Sequence, residues 1–208
     1  MLGAAVARND RVRVPEVMRD VRARHPKLGD AIAADARTTA AYRGERFDFR
    51  SRADLLVQIL RLMIVSDAFL AQVFYRVKTR LQAHGVPVLP SLAHRAAMVL
   101  AQVSIGDPVV IAPGLYLLHG QVVIDGLTEI GRGARIAPFV TIGLREKQFE
   151  GPSIGSGVSI GTGAKIIGPV RVGDRARIGA NAVVITDVPA GATATGIPAK
   201  VHGPAAAD

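Results

Sequence analysis

Aliphatic residues recur along this chain with two different periods, and the change falls near residue 103. Before it the spacing is helical: Pro15 to Arg24 and Lys27 to Ala41 place apolar residues every three or four positions, as on one face of a helix. Ser51, three residues before Asp54, is a capping signal. From it a long helix is expected to run to about His84, with Leu55, Leu56, Ile59, Leu62, Met63 and Leu70 on its buried side. The turn Gly85-Val86-Pro87 and Pro90 stop that helix, and Ser91 to about Gln102 reads as one more. Residues 1–102 are therefore expected to form an α-helical N-terminal region.

After residue 103 the period is six. From Ile105 an aliphatic residue returns at Ile111, Leu117 and Val123, and after one extra residue at Ile130, Ile136 and Ile142. It continues at Ile154, Ile160, Ile166, Val172, Ile178 and Val184, often followed by Gly or Ala. A six-residue unit is one short strand and a tight turn, and three units close a triangular coil of about 18 residues whose aliphatic side chains stack inward. About five such coils fit between Ile105 and Val201. The expected fold is mainly β: a parallel β-helix over 103–203, with 204–208 as a short tail. The repeat does not fix the hand of the coil, since right-handed crossovers are the general rule for parallel strands. The interval from Ile142 to Ile154 keeps phase but offers Gln148 where an inward aliphatic belongs, and it holds Arg145, Glu146, Lys147 and Glu150. Residues 143–153 are thus read as a loop extruded from the coil. Loops on rigid scaffolds carry binding determinants; a tolerated surface insertion is the plainer reading.

Composition sharpens the division. Of 22 glycines, only Gly3, Gly29, Gly44 and Gly85 precede residue 103, because corners need small residues and helices do not. The net charge of +9 is equally lopsided, eight of the nine falling in residues 1–102. Those arginines are spaced among apolar residues without a basic run, as on solvated helix faces; an acidic partner, a membrane surface and a coenzyme phosphate are the other readings. Cysteine is absent, which excludes disulfides, thiolate metal sites and a cysteine nucleophile. Tryptophan is absent too and aromatics are 4%, which argues against base-stacking platforms and hence a nucleic-acid partner. The longest apolar stretch, Leu55 to Val77, is broken by Arg61, Asp67 and Arg76, and no charged start precedes an apolar block, so a soluble cytoplasmic protein is expected.

Five histidines occur: His25, His84, His94, His119 and His202, and only His119 lies within the coils proper. A zinc site of three histidines on this repeat is therefore excluded, and no metal is expected. The Gly-x-Gly sequences recur with the hexapeptide period and lack a strand–helix context, so they mark corners and not a dinucleotide fold.

The segments Gln102-Val103-Ser104-Ile105 to Leu117-Leu118-His119, Val140-Thr141-Ile142-Gly143, Ile160-Gly161-Thr162-Gly163-Ala164-Lys165-Ile166-Ile167-Gly168 and Thr195-Gly196-Ile197-Pro198-Ala199-Lys200 resemble the hexapeptide-repeat acyltransferases, and among them the serine acetyltransferase branch. The likeness covers about residues 52–203 and implies a left-handed parallel β-helix, a homotrimer or dimer of trimers, and sites in clefts between neighbouring coils. It implies transfer of an acyl group from acetyl-CoA, as co-substrate, to a hydroxyl. An alcohol is a poor nucleophile at neutral pH, so a base must take its proton and backbone N–H groups must hold the developing oxyanion. Histidine suits the first task, and His119 falls where the family places its catalytic histidine; a histidine that merely packs on the solenoid is the plain alternative. The resemblance assigns the coenzyme to Gly143, Gly163, Ala164, Ala182 and Lys200, with Lys165 and Arg177 as further cations for its phosphates.

The departures bear on the acceptor. The family's orienting aspartate, 15 residues before the histidine, is Ser104 here, and the aspartate next to the histidine is Leu118. The Arg-His pair of the loop is replaced by Glu150-Gly151-Pro152. Ser104 retains a hydrogen-bonding group, Asp107 or Asp125 would have to supply the missing charge, and Arg145 or Lys147 would replace the fork for an acceptor carboxylate. Serine, a serine-like amino acid and a sugar hydroxyl all stay open as acceptors, with acylation of an amine behind them. A non-catalytic scaffold or regulatory protein that keeps the fold is the alternative. The family's complex with cysteine synthase depends on a C-terminal isoleucine, and Pro204-Ala205-Ala206-Ala207-Asp208 argues against that partner.

Overall fold

The computed structural model describes residues 14–204, Lys147 excepted. Most of the expected tail lies outside the described residues. Five helices come first: α1 (Val14–Arg24), α2 (Leu28–Tyr42), α3 (Arg52–Val65), α4 (Asp67–Ala83) and α5 (Leu89–Ala101). The long helix expected from Ser51 to His84 is two helices meeting at 117°. Ser51 caps α3, its Oγ accepting from Asp54 N at 3.1 Å. Ser66 then adopts extended backbone (φ −143°, ψ 103°) and its Oγ accepts from Phe69 N at 3.3 Å, so one residue ends α3 and caps α4. A serine competes with the helical ladder for its neighbours' N–H groups, and the continuous apolar period hides that signal. α5 starts at Leu89, before the expected Ser91, because Pro90 is tolerated in a first turn whose N–H groups have no intrahelical acceptor. No single described helix is long and apolar enough to cross a membrane.

The rest is a parallel β-helix of three sheets. Sheet A stacks β1 (Val103–Ile105), β4 (Val122–Ile124), β7 (Thr141–Gly143), β10 (Lys165–Ile167) and β13 (Val183–Val184). Sheet B stacks β2 (Val110–Ile111), β5 (Leu127–Ile130), β8 (Glu150–Ile154) and β11 (Arg171–Val172). Sheet C stacks β3 (Tyr116–Leu117), β6 (Arg135–Ile136), β9 (Ser159–Ile160), β12 (Arg177–Ile178), β14 (Ala192–Thr195) and β15 (Lys200–Pro204). The chain visits A, B and C in turn, so each sheet contributes one buried ladder. Ile105, Ile124, Ile142, Ile166 and Val184 align in A, and Ile111, Ile130, Ile154 and Val172 in B. Leu117, Ile136, Ile160, Ile178 and Ala194 align in C. All these residues belong to one buried cluster.

The first coil has no coil before it, and its unpaired backbone edge would be costly to bury. The helices supply the missing partners. From α4, Tyr75 Oη donates to Val109 O at 2.9 Å, Arg76 donates to the carbonyls of Ile111 and Ala112, and Lys78 Nζ donates to Ile105 O at 2.6 Å. Gln72, in the amide orientation that satisfies both its ends, donates to Leu115 O and accepts from Leu117 N. Asp35 of α2 accepts from the N–H groups of Gly114 and Leu115 and pairs with Arg76. Burial pushes the Asp35 carboxyl upward against the pull of Arg76 and the two amides. His25 lies edge-on to Tyr75 with its Nδ1 buried and unbonded. Burial, reinforced by Arg76, Lys78 and Arg24, lowers its pKa to about 4. At the far end β15 folds back antiparallel on β14.

Candidate active site

His119 stands in the turn from β3 to β4, at the corner where sheet C passes into sheet A. The coil lengthens by one residue at that corner. Val123, expected inside, is 44% exposed, and Ile124 beside it is 0% exposed. The extra residue therefore falls between Leu117 and Ile124, in the turn that holds His119, and not after Val123 as the repeat suggested. A one-residue shift exchanges the inner and outer faces of a strand; Val123 and Ile124 are both aliphatic, so the sequence did not reveal which faces in. The longer turn lifts His119 into solvent, and its ring makes no hydrogen bond among the described residues. Its neighbour Gly120 is required: a Cβ there would lie 1.8 Å from Ala101 O, and Gln121 N donates to the same carbonyl at 3.3 Å. The backbone that carries His119 is thus fixed against the junction of α5 and β1.

The groups expected to assist His119 are not gathered around it in one chain. Ser104 is half-buried in β1, in register with Val123, and does not bond the His119 ring. Asp107 and Asp125 occupy the other corner, where sheet A passes into B. Asp107 accepts from Lys78 Nζ at 3.0 Å; burial pushes its carboxyl up, but Gln82 and Lys78 bring it below the usual range. Asp125 accepts from Gly126 N at 2.8 Å and lies against Gly106. Arg145 also leaves the A-to-B corner and passes over Gly168 of the next coil. The excursion that carries it runs from Gly143 to Glu150, shorter than the expected 143–153, because Ser153 already pairs with Glu129 of β5. Lys147 lies outside the described residues.

The residues assigned to the coenzyme divide in the same way. Gly163 is on the His119 corner, with φ 74° and Asn181 Oδ1 where a Cβ would be. Gly143 ends β7 on the other corner, and its carbonyl accepts from Gly168 N. Ala164 and Ala182 are both 0% exposed: their methyl groups belong to the core and their backbone groups bond within the solenoid, so they present no surface to a ligand in this chain. Both alanines are inner-corner residues that the repeat demands. Lys200 is exposed at the start of β15, Arg177 is exposed in β12, and Lys165 Nζ donates to Phe139 O at 2.7 Å.

Sequence reasoning passed over Phe139. It occupies the C-to-A corner one coil after His119, 53% exposed, with φ 62° at a turn position that Gly163 fills one coil later. A bulky residue in left-handed backbone is uncommon, and an aromatic interrupting the run of small corner residues was the signal for it.

A capped β-solenoid of six-residue units with an exposed histidine at a lengthened corner defines a hexapeptide-repeat protein, and residues 151–186 match the family described as bacterial transferase hexapeptide (six repeats). The chain belongs to the hexapeptide-repeat acyltransferases, on their serine acetyltransferase-like branch. It is 34% identical over 145 residues to serine acetyltransferase of Synechococcus elongatus, which covers 68% of this chain and 59% of that relative. Among solved structures it is similar to a serine acetyltransferase in complex with CoA (TM-score 0.69, 28% identity, 90% of this chain and 74% of that one). It is also similar to soybean serine acetyltransferase complexed with serine (TM-score 0.71, 29% identity, 88% and 72%). The chain thus spans about three fifths of the first of these relatives.

Proposed function

We propose that this protein is an acetyl-CoA-dependent O-acetyltransferase in which His119 is the general base. The observation that carries the reading is the His119 corner: an exposed ring without a hydrogen-bond partner among the described residues, held on backbone that Gly120 fixes against Ala101. In the reaction, His119 takes the proton of the acceptor hydroxyl as its oxygen attacks the thioester carbonyl. The tetrahedral intermediate collapses with loss of the coenzyme thiolate, to which the imidazolium returns the proton. The products are an acetyl ester and free CoA. Exposed Lys200 and Arg177 serve the coenzyme phosphates, Gly143 and Gly163 let its arm approach backbone, and Phe139 gives it an apolar wall beside His119.

The two corners support assembly of the site from two copies. His119, Phe139 and Gly163 lie on one corner, whereas Asp125, Arg145 and Gly143 lie on the other, so a homotrimer that sets one copy's first corner against its neighbour's second completes the set. The helical region 1–102 and the solenoid 103–203 are then cap and catalytic domain of a cytoplasmic enzyme. For the acceptor, serine has the support of the relatives' names. Ser104 and Leu118, which stand where the branch has carboxylates, favour a hydroxyl compound without an ammonium group, such as a sugar. Asp107 and Asp125 are engaged by Lys78 and Gly126, and that engagement favours the second reading, a scaffold that keeps the fold without efficient transfer.

Thiol release from acetyl-CoA, measured against serine, homoserine, simple sugars and nucleotide sugars, separates these readings. Release stimulated by one acceptor class supports the enzyme and names its substrate. Binding of acetyl-CoA without release from any acceptor supports the scaffold.

A further inference from the structure

Two of the three tyrosines stand together on the surface, Tyr42 at the end of α2 and Tyr116 at the start of β3. Their rings are stacked, with centroids 4.5 Å apart and planes 8° from parallel. Leu117 is inside the coil, so the alternation of a strand turns Tyr116 onto the outer face of sheet C. Arg135, its register partner in β6, is exposed and places its guanidinium 5.4 Å from the centre of the Tyr42 ring. Stacking alone would fasten the end of α2 to the first coil. That duty does not need an open ring, yet Tyr42 is 51% exposed. Among the described residues neither tyrosine hydroxyl has a hydrogen-bond partner and Arg135 has no carboxylate partner.

The position of this platform indicates what it serves. Tyr116 precedes His119 by three residues, so at most about 10 Å of backbone separates them. The cations assigned above to the coenzyme lie the other way: Arg177 in β12 and Lys200 in β15 are three and five strands beyond β3 in sheet C, roughly 14 and 24 Å at about 4.8 Å per strand. Acetyl-CoA then reaches His119 from the later coils, and the Tyr42 end is left to the acceptor. The trimer proposed above uses the two corners that flank sheet A, which leaves the outer face of sheet C uncovered. An open aromatic face takes a nucleobase by stacking, and a guanidinium offers phosphate oxygens a planar fork. One ring for one base suffices here, unlike the run of rings that a nucleic-acid strand needs. Free serine has no flat ring for Tyr42, and a simple neutral sugar has no charge for Arg135.

We propose that Tyr42, Tyr116 and Arg135 hold the nucleoside diphosphate end of a nucleotide-sugar acceptor whose sugar hydroxyl reaches His119. The proposal rests on the acetyltransferase reading for the hydroxyl at His119, and narrows its acceptor.

The test is calorimetric titration of the full chain with ADP, GDP, UDP and CDP in turn, in the presence of saturating CoA. At least one should bind. Tyr42→Leu should weaken that binding by about 5- to 150-fold, the range that stacking on one base contributes, and Arg135→Gln by about tenfold or more. Tyr42→Phe keeps the ring and should bind as the unmodified protein does, so the result stands even if Tyr42→Leu folds poorly. No binding by any of the four, unchanged binding by folded Tyr42→Leu or Arg135→Gln, or an altered number of copies in Tyr42→Leu on sedimentation would overturn the proposal; the last would make the platform a contact between copies. Transfer to the matching nucleotide sugar separates this proposal from the reading beneath it. Arg135→Gln should raise the KM for that acceptor while kcat and the KM for acetyl-CoA stay the same. Ring-dependent nucleotide binding without transfer to any acceptor would keep the site and sink the acetyltransferase. Transfer to serine or a simple sugar that ignores both substitutions, with no nucleotide bound, would keep the acetyltransferase and sink the site.

Discussion

Replacing Asp35 by alanine should loosen the joint between the helices and the first coil more than any other single change in that region. Asp35 and Arg76 have side chains 1% and 2% exposed. The carboxylate receives Arg76 Nε at 2.9 Å and Nη2 at 3.2 Å, and it also accepts from Gly114 N at 2.8 Å and Leu115 N at 2.9 Å. Its removal leaves a buried guanidinium without a counter-ion, a loss of about 3–5 kcal/mol. Two backbone N–H groups also lose their acceptor, at about 1–3 kcal/mol each before water enters the vacated space. Water recovers part of that sum, so the expected destabilisation is about 4–6 kcal/mol, a large share of the roughly 5–15 kcal/mol that holds a domain together. Arg76→Met removes the stranded charge, so the double variant should be less destabilised than the two single losses added, by about 1–3 kcal/mol. Urea unfolding followed by circular dichroism reads all three variants. A loss below about 1 kcal/mol for Asp35→Ala, or strict additivity of the pair, would refute the view that this ion pair joins cap to solenoid.

Other consequences are equally specific. His25 has a folded pKa of about 4 against an ordinary value of 6.5, so between those values the unfolded chain binds more protons and stability falls as pH drops through the window. After discounting for its partial exposure the effect is about 2 kcal/mol, and His25→Gln should flatten the stability profile between pH 6.5 and 4; an unchanged slope would count against it. The lengthened corner predicts that Ile124→Asp collapses the solenoid, because an inward carboxylate finds no partner, while Val123→Asp is tolerated; the opposite outcome in a solubility and thermal-melt assay would restore the simple hexapeptide register. Ser104→Asp should raise turnover about tenfold or more if the side chain at 104 orients His119, and an unchanged rate would show that it does not reach the ring.

The architecture was legible because its determinants are periodic. A six-residue aliphatic repeat has few three-dimensional solutions, and the three ladders follow from it almost residue by residue. What escaped were places where two patterns agree locally but differ in consequence. Val123 and Ile124 are adjacent aliphatics, so the corner that gained a residue had to be seen in space. Ser66 sits inside an apolar run, and its capping role showed only when the helix turned there. Ala164 and Ala182 satisfy both the repeat and the family pattern, and in the fold both are buried in the solenoid core. The polar cap on the first coil was harder still: Asp35, Gln72, Tyr75, Arg76 and Lys78 look like the polar face of ordinary helices, whereas they are buried because a β-helix must end somewhere and its first strands need partners. Among the candidate site residues, His119 was singled out by its place in the coils together with the family resemblance, and Phe139 was passed over because it occupies a corner without obeying the corner's rule.

The central claim is that His119 moves the proton while other groups hold the substrates. Its most direct test compares His119→Ala with the unmodified protein in two measurements on the same samples, steady-state transfer from acetyl-CoA to the acceptor that the panel identifies and calorimetric binding of CoA. The account predicts that turnover falls by at least about two to four orders of magnitude while CoA affinity and the number of copies stay the same. Turnover that survives the substitution, or a loss that follows coenzyme affinity instead, would contradict it.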